Sequence, residues 1–195
     1  MSEPRRRWLP QLMRWLHIYA SMLGLVATLL FAVTGLTLNH ADWFESGEPT
    51  TRKLEGSVPK ELLAGDVDKL KVAEMLRAAH RLRGTCSVSI EDDVCIAVWK
   101  GPGYSADATI ERADGKYVIE ESRRSAFAVL DDLHKGRDCG PVWAAVIDVA
   151  AVVLTFLSVT GLWLLFYLKK RRRSGLIVAL VGGVVLVVCF ALGVP

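Results

Sequence analysis

Short motifs for several kinds of chemistry are missing from this sequence. It contains no phosphate-binding glycine loop, no His-x-x-x-His or Cys-x-x-Cys pair with metal-ligand spacing, and no nucleophile elbow. Hydrolysis is therefore not expected. Histidine and cysteine are also scarce, with four residues of each in a chain of 195.

Acidic residues are nearly absent outside the middle of the chain. Only Glu3 and Asp148 lie outside residues 41–141, whereas that middle segment holds nineteen acidic and fifteen basic residues, a net charge of −4. The remainder of the chain carries +7, so the overall charge says little about partners. Nucleic-acid binding is not implied, because a basic run beside a membrane span is explained by orientation and by attraction to anionic headgroups.

Three long segments lack charge almost completely. Residues 18–38 hold 21 residues without a charge, enough to cross a hydrocarbon core of about 30 Å at about 1.5 Å per residue. A cleaved secretory signal is the alternative, but its apolar core is usually about 7–15 residues, and residues 37–41 make a poor cleavage site. Residues 142–168, interrupted only by Asp148, and 175–194 complete the prediction of three transmembrane helices.

The two short basic segments, 1–17 and 169–174, decide the expected orientation. Lysine and arginine in short loops favour the cytoplasmic side, so both segments are expected there. Residues 39–141 and the C-terminal Pro195 then lie on the other side. For a protein of bacterial appearance this places the chain in the inner membrane with its central domain in the periplasm.

The central segment has the pattern of a small α+β domain. Residues 41–66 are rich in polar residues, Gly and Pro and predict an extended connection. A helix is expected from Asp68, with Val72, Met75, Leu76 and Ala79 on one face and an end near Gly84. Alternating apolar residues then predict four strands, which hold Val88 and Ile90; Val94, Ile96 and Val98; Ala106, Ala108 and Ile110; and Tyr117 and Ile119. With turns at 92–93 and 113–115 and a final helix over 125–133, the predicted fold class is a mainly α membrane protein with an α+β extracytoplasmic domain.

Three cysteines lie on the presumed oxidising side, which predicts one disulfide among Cys86, Cys95 and Cys139. If 92–93 is a two-residue turn, Cys95 faces Ile90 and Cys86 faces Trp99. The two cysteines are then offset by about 13 Å, beyond the ~7 Å limit between Cα atoms for a bridge. Either the turn is looser, or Cys139 is the partner.

Small residues predict where the helices touch, since helices in lipid approach closely only where side chains are short. The first span has such residues every four positions around Gly24, and the third has them from Gly175. On the second span, Asp148, Ala151, Thr155 and Ser158 share a face, which predicts an inward-facing polar stripe. Asp148 has two interpretations. In the functional one it forms a hydrogen bond to a ligated histidine or belongs to a proton path; in the structural one it forms a hydrogen bond to a Thr or Ser on a neighbouring helix.

Four short patterns together resemble the PepSY-associated transmembrane helix family. They are Leu16-His17 followed by Gly24, Val33-Thr34-Gly35-Leu36, Leu133-His134-Lys135-Gly136 and Val159-Thr160-Gly161-Leu162. The resemblance covers the chain through the second span and leaves open whether the third span belongs to it, and it implies a PepSY-type domain with Asp114-Gly115 at a hairpin. The larger relatives have four or more spans, so a chain of three departs from them.

The resemblance also implies a setting of iron uptake or electron transport, with haem b held by paired histidines. His40 and His134 are the expected iron ligands, because both lie at the outer membrane face; His17 lies about 35 Å away along the first helix from His40. Each has an alternative reading: His40 as a helix cap, His134 as an interfacial loop residue, and His17 as an interface anchor rather than a ligand of a second, inner haem. His80, among arginines, is expected to be solvated. The polar residues inside the spans are Thr34, Thr160 and Asp148.

Two functions remain open from the sequence. The first is a component of a haem-linked electron-transfer or ferric-chelate-reducing system, which as an enzyme would be part of a membrane oxidoreductase. The second is a cofactor-free subunit that binds or scaffolds a larger membrane complex. In both, the partners are the lipid bilayer and either another membrane subunit or a second copy of this chain.

Overall fold

The computed structural model describes residues 8–44, 48–63, 65 and 67–194. The basic run 5–7 and Pro195, on which part of the orientation prediction depends, lie outside the described residues. The chain forms two compact units, one from residues up to 29 together with 148 onwards, and one from residues 30–147.

Three helices in the described part of the chain are long and apolar enough to cross a membrane. They are α1 (Trp8–Asn39), α5 (Gly140–Leu165) and α6 (Arg172–Gly193), and they confirm the prediction of three long apolar helices. The helix α1 contains the whole uncharged segment 18–38, whereas α5 ends at Leu165 and α6 at Gly193, short of the predicted ends at 168 and 194. Such apolar segments form helices because a helix satisfies all of its own backbone hydrogen bonds where water is absent. Short elements lie between α1 and α5.

The first unit packs through small side chains. A Cβ atom at Gly24 of α1 would lie 3.0 Å from a methyl of Val153 and 3.3 Å from a methyl of Leu157, both on α5. On α6, a Cβ atom at Gly175 would clash with Leu165, whereas Gly183 has open space around it. The prediction of a close helix contact at Gly24 is confirmed, and α6 meets its neighbour at Gly175 but not at Gly183.

The polar stripe of α5 does not face inward, so that prediction was wrong. Asp148, Ala151, Thr155 and Ser158 are exposed, whereas Ala150 and Thr160 are buried on another face of the helix. The Thr155 and Ser158 hydroxyls donate to the carbonyls of Ala151 (2.8 Å) and Leu154 (2.9 Å) one turn back. Both hydroxyls are therefore satisfied within α5 and need no partner on another helix.

The second unit contains a five-stranded antiparallel sheet. Its strands are β1 (Thr50–Ser57), β2 (Thr85–Glu91), β3 (Val94–Gly101), β4 (Tyr104–Glu111) and β5 (Lys116–Arg123), in the order β1-β5-β4-β3-β2. The helices α2 (Ala41–Phe44) and α4 (Ala126–Lys135) and a 3-10 turn (Lys60–Leu62) complete the unit, together with α3 (Lys69–His80). Side chains of α3 pack with the sheet around Leu76, Trp99, Ile110 and Ile119. A small α+β domain is therefore confirmed, with five strands in the described residues rather than the four predicted.

Two local predictions about this domain were right in kind and wrong in detail. The helix α3 begins after Asp68, whose carboxylate accepts from the amide of Lys71 as an N-cap does, but it ends at His80 because Arg81 adopts the left-handed conformation (φ 56°). In β3 the fully buried residues are Cys95, Ala97 and Trp99, not the alternate Val94, Ile96 and Val98, which are half-buried. Trp99 fills the core and so sets which face of the strand points inward.

Candidate histidine sites

Helix α4 carries the first candidate site, and its ends are fixed by local signals. The Ser125 hydroxyl accepts from the amide of Ala128 (3.2 Å), and Gly136 closes the helix in the left-handed region (φ 68°). The ten-residue helix agrees with the helix predicted over 125–133. It presents residues 131–134 to the surrounding elements.

The imidazole of His134 packs against the C-terminal part of α1. Its Nδ1 lies 2.6 Å from the hydroxyl oxygen of Thr34, and its ring meets Phe31 edge-on at 5.3 Å between centroids. A Cβ atom at Gly35 would lie 3.5 Å from the ring carbon Cε1. The Val-Thr-Gly-Leu pattern of the first span therefore supplies both the hydrogen-bond partner of this ring and the space beside it.

The three residues before His134 each bind a different part of the same unit. Asp131, which is buried, accepts from Thr37 of α1 at 3.3 Å, and the carbonyl of Leu133 accepts from the indole nitrogen of Trp143 at 2.8 Å. The buried carboxylate of Asp132 accepts from the amide of Gly103 at 2.9 Å and pairs with the guanidinium of Arg124. Residues 131–134 thus tie α1, the turn before β4, the end of β5 and the start of α5 to one short helix.

The second candidate site lies in the other unit and has the same construction. His17 Nδ1 lies 2.8 Å from the hydroxyl oxygen of Thr160, and a Cβ atom at Gly161 would lie 3.4 Å from His17 Cε1. Thr160 is buried. Here the Val-Thr-Gly-Leu pattern of α5 receives the histidine of α1.

The other two histidines have different surroundings. The His40 ring stacks on Trp43, with centroids 4.0 Å apart and planes 13° apart. His40 lies six residues beyond Thr34, a rise of about 9 Å along a helix, and no hydrogen bond joins it to His134 in the residues that the structure covers. His80 was expected to be solvated, but it is half-buried and its Nε2 lies 2.8 Å from the Tyr117 hydroxyl, because α3 packs against the sheet there.

The cysteines are separate thiols in the structure. The predicted register is confirmed, since Cys86 pairs with Trp99 and Cys95 with Ile90 across a two-residue turn, and this offset excludes a bridge between Cys86 and Cys95. Burial raises the pKa of both thiols above the ordinary value, and it does the same for Cys139. The Cys139 thiol donates to the carbonyl of Arg137 at 3.0 Å.

A cleft of about 500 Å³ in the domain was not foreseen from the sequence. Its walls include Arg83, Tyr104, Arg123 and Arg124 together with the glycine-rich turn 101–103, and its rim reaches Gly140 at the start of α5. The buried Glu121 binds Arg123 at 2.8 Å, which raises the pKa of that guanidinium, and burial raises the pKa of the Tyr104 phenol. Arginines held in place by buried carboxylates offer their remaining N–H groups to an anionic ligand.

Long apolar helices that precede and follow an α+β domain in the chain define a multi-pass membrane protein with a folded domain between its first and second spans. The chain belongs to the family described as "Putative PepSY_TM-like", which matches residues 8–195, and the resemblance seen in the sequence motifs is thereby confirmed. No curated protein and no solved structure matches the chain.

Proposed function

We propose that this protein is a bacterial inner membrane component of a haem-b-linked electron-transfer or iron-uptake system. In this proposal the N-terminus is cytoplasmic, and the central domain, of PepSY type, lies in the periplasm with the C-terminus. The observation that carries it is that His134 and His17 each bind a threonine through Nδ1, which leaves Nε2 for a ligand.

The donor chemistry of these histidines fits a haem iron. Histidines that bind metals commonly engage their second ring nitrogen in a hydrogen bond, which fixes the orientation of the ring. Haem b, when bound, would supply one-electron redox chemistry at its iron. His134 is the better candidate, because its unit also contains the α+β domain with the arginine-lined cleft. The second ligand would be His40 or His134 of a second copy.

The packing of the helices limits where such a group could lie. At Gly24 the helices α1 and α5 are in direct contact through Val153 and Leu157, which leaves no room for a porphyrin between them at that level. Each of these histidines could therefore supply one ligand to a haem iron. The second ligand would come from His40 or from another subunit.

The arginine-lined cleft supports a ferric chelate as the electron acceptor. Many iron chelates are anionic, and the cleft of about 500 Å³ is lined by Arg83, Arg123 and Arg124 with a single acidic residue, Asp138. The cleft and His134 lie in the same unit, connected through Asp132, which binds Arg124. An anion in the cleft would therefore be held by the same unit that holds His134.

Spectroscopy of the purified full-length protein tests this function. The expected result is a Soret band with stoichiometric iron, and a strong loss of both in His134→Ala. The matched control is His80→Gln, which changes a histidine of the domain outside the proposed site. Wild-type protein without a Soret band and without iron would falsify the haem-linked function.

The exposed face of α5 favours a second candidate, a cofactor-free scaffolding subunit. Asp148, the ninth residue of α5, is exposed, and a charged group in a span costs about 2.5–3.5 kcal/mol at the bilayer centre and less nearer the surface. A membrane partner that covers Asp148, Thr155 and Ser158 would offset this cost. Residues 148–158 would then form the docking face of a larger complex.

Cysteine crosslinking in native membranes tests the scaffolding function. Ala151→Cys, on the polar face, is expected to give a crosslinked product of defined mass, and Asp148→Asn in the same background is expected to weaken it. Val149→Cys, which is also exposed but lies about 160° around α5 from Ala151, is the control. Equal crosslinking at both positions, or only monomer at both, would argue against docking through this face.

A further inference from the structure

Two copies of one pattern occur in the chain, and the histidine of each copy binds the threonine of the other. Each copy has Leu-His followed further along by Val-Thr-Gly-Leu: Leu16-His17 with 33–36, and Leu133-His134 with 159–162. His134 of the second copy binds Thr34 of the first, and His17 of the first copy binds Thr160 of the second. In both sites the same ring atoms are used, since Nδ1 meets the threonine oxygen and Cε1 lies beside the following glycine.

The hydroxyl protons of both threonines are already in use. Thr34 donates to the carbonyl of Leu30 at 2.7 Å, and Thr160 donates to the carbonyl of Phe156 at 2.8 Å. Thr155, which has no histidine beside it, makes the same bond to the carbonyl one turn back at 2.8 Å. This bond is therefore what a helical threonine makes by itself. A carbonyl oxygen can only accept, so it claims the single proton of each hydroxyl.

The histidine must then be the donor in both sites. With its proton given to the carbonyl, the threonine oxygen can only accept a further hydrogen bond, and the atom next to it is Nδ1 of the imidazole. A neutral imidazole carries one proton, so Nδ1 is protonated and Nε2 holds a free lone pair. In the alternative, with the proton on Nε2, each hydroxyl would turn its proton to Nδ1 and leave its oxygen facing the oxygen of the carbonyl at 2.7 or 2.8 Å with no proton between them.

We propose that Thr34 and Thr160 are positioning residues that hold His134 and His17 in the Nδ1–H tautomer, with Nε2 presented as the electron-pair donor. This deepens the proposed function and rests on it for the identity of the acceptor at Nε2, which is a haem iron in that proposal. The tautomer itself follows from the hydrogen bonds alone. The duplication makes the two sites equivalent in construction.

The glycine after each threonine completes the arrangement. The methyl group of an alanine at Gly35 or Gly161 would just touch Cε1, at 3.5 Å or 3.4 Å. A longer side chain would occupy the volume of the ring itself and push Nδ1 out of hydrogen-bonding distance. The pattern therefore needs a hydroxyl for the bond and a minimal side chain for the ring, in adjacent positions.

Nitrogen NMR of the full-length protein in lipid tests the assignment without a cofactor. In protein labelled with ¹⁵N at histidine and freed of haem, at about pH 8 where a typical imidazole is neutral, the chemical shifts of His17 and His134 should report protonated Nδ1 and unprotonated Nε2. His17→Gln and His134→Gln assign the signals. Thr34→Val should change the tautomer signature of His134 alone, and Thr160→Val that of His17 alone.

The conservative variants and a matched control separate positioning from general structure. Thr34→Ser and Thr160→Ser keep the hydroxyl and should restore the wild-type signals, whereas Thr155→Val, which removes an equivalent helical hydroxyl away from either histidine, should leave both unchanged. Protonated Nε2 in the wild type, or a signature that survives both valine variants, would overturn the proposal. A protein without a Soret band would defeat the haem-linked function and leave this assignment intact.

Discussion

At the residue scale, the four consecutive residues 131–134 of α4 show how a single short helix can serve both fold and site. Asp132 contributes most to the fold, because its carboxylate is almost fully buried and binds both a backbone amide and a guanidinium. His134, two positions later, points its bonded nitrogen at α1. Loss of the first group should therefore disturb the second, although the two side chains bind different elements.

The first prediction concerns Asp132→Ala in the full-length protein. The change leaves the amide of Gly103 without its acceptor and Arg124 without its counter-charge, so we expect a loss of about 2–3 kcal/mol in the free energy of unfolding of the domain. Arg124 is partly exposed, which keeps the value below that of a fully buried pair. Denaturant unfolding followed by tryptophan fluorescence in detergent measures it.

Two variants make that measurement specific. Asp107→Ala, an exposed carboxylate on β4, should change stability by less than about 0.5 kcal/mol. Asp132→Asn keeps an acceptor for Gly103 and should recover part of the loss. If Asp132→Ala unfolds like the wild type, residues 131–134 do not join the elements as described.

The sequence identified both histidines and both threonines of the sites but not their pairing. The motifs containing Thr34 and Thr160 were visible, and the expected partner of His134 was another histidine, His40. A hydrogen bond between residues 100 or 143 positions apart depends on how helices pack, and no local pattern encodes that. The one signal in the sequence for these pairings is that Leu-His and Val-Thr-Gly-Leu each occur twice.

At the element scale, β1 is the strand that was not predicted from the sequence. Seven of its eight residues are exposed, and it pairs with β5 through its backbone as the edge of the sheet. An edge strand that is polar on both faces has no period of two and looks like a connection. The inner strands β4 and β5 were predicted correctly, because Ala106, Ala108, Ile110, Tyr117 and Ile119 alternate strictly with polar or half-buried residues.

The second prediction concerns Gly56 of β1. A Cβ atom there would overlap the ring of Tyr117, its partner on β5, whose hydroxyl binds His80. Gly56→Val should therefore displace Tyr117 or detach β1, at a cost of about 1–3 kcal/mol. Hydrogen exchange should show faster exchange of the amides of β1 and β5.

Lys53→Val is the matched control, because Lys53 is an exposed residue of the same strand and a valine there meets no core side chain. It should leave exchange in β5 unchanged. Equal protection of β5 in the Gly56→Val protein would mean that the tyrosine ring does not occupy the space above Gly56.

At the scale of the whole molecule, the distribution of charge predicts the orientation in the membrane. The acidic residues are concentrated between positions 41 and 141, and the basic runs lie beside the apolar helices. Residues 169–173 are all basic; 169–171 lie in the short connection between α5 and α6, and Arg172 and Arg173 are the first residues of α6. From this distribution the positive-inside rule predicts that the connection and the N-terminus are cytoplasmic.

The third prediction tests that orientation with two single-cysteine reporters in a cysteine-free background. Ser89→Cys, exposed on β2 of the domain, should react with a membrane-impermeant maleimide in cells whose outer membrane alone is permeabilised, whereas Lys170→Cys should not. Both should react once the inner membrane is opened, which controls for the reactivity of each thiol. The physical reason is that moving the five basic residues of 169–173 across the bilayer would oppose the membrane potential, at about 2.3 kcal/mol per charge per 100 mV. The reverse labelling pattern would place the domain in the cytoplasm, where a periplasmic ferric chelate could not reach the arginine-lined cleft.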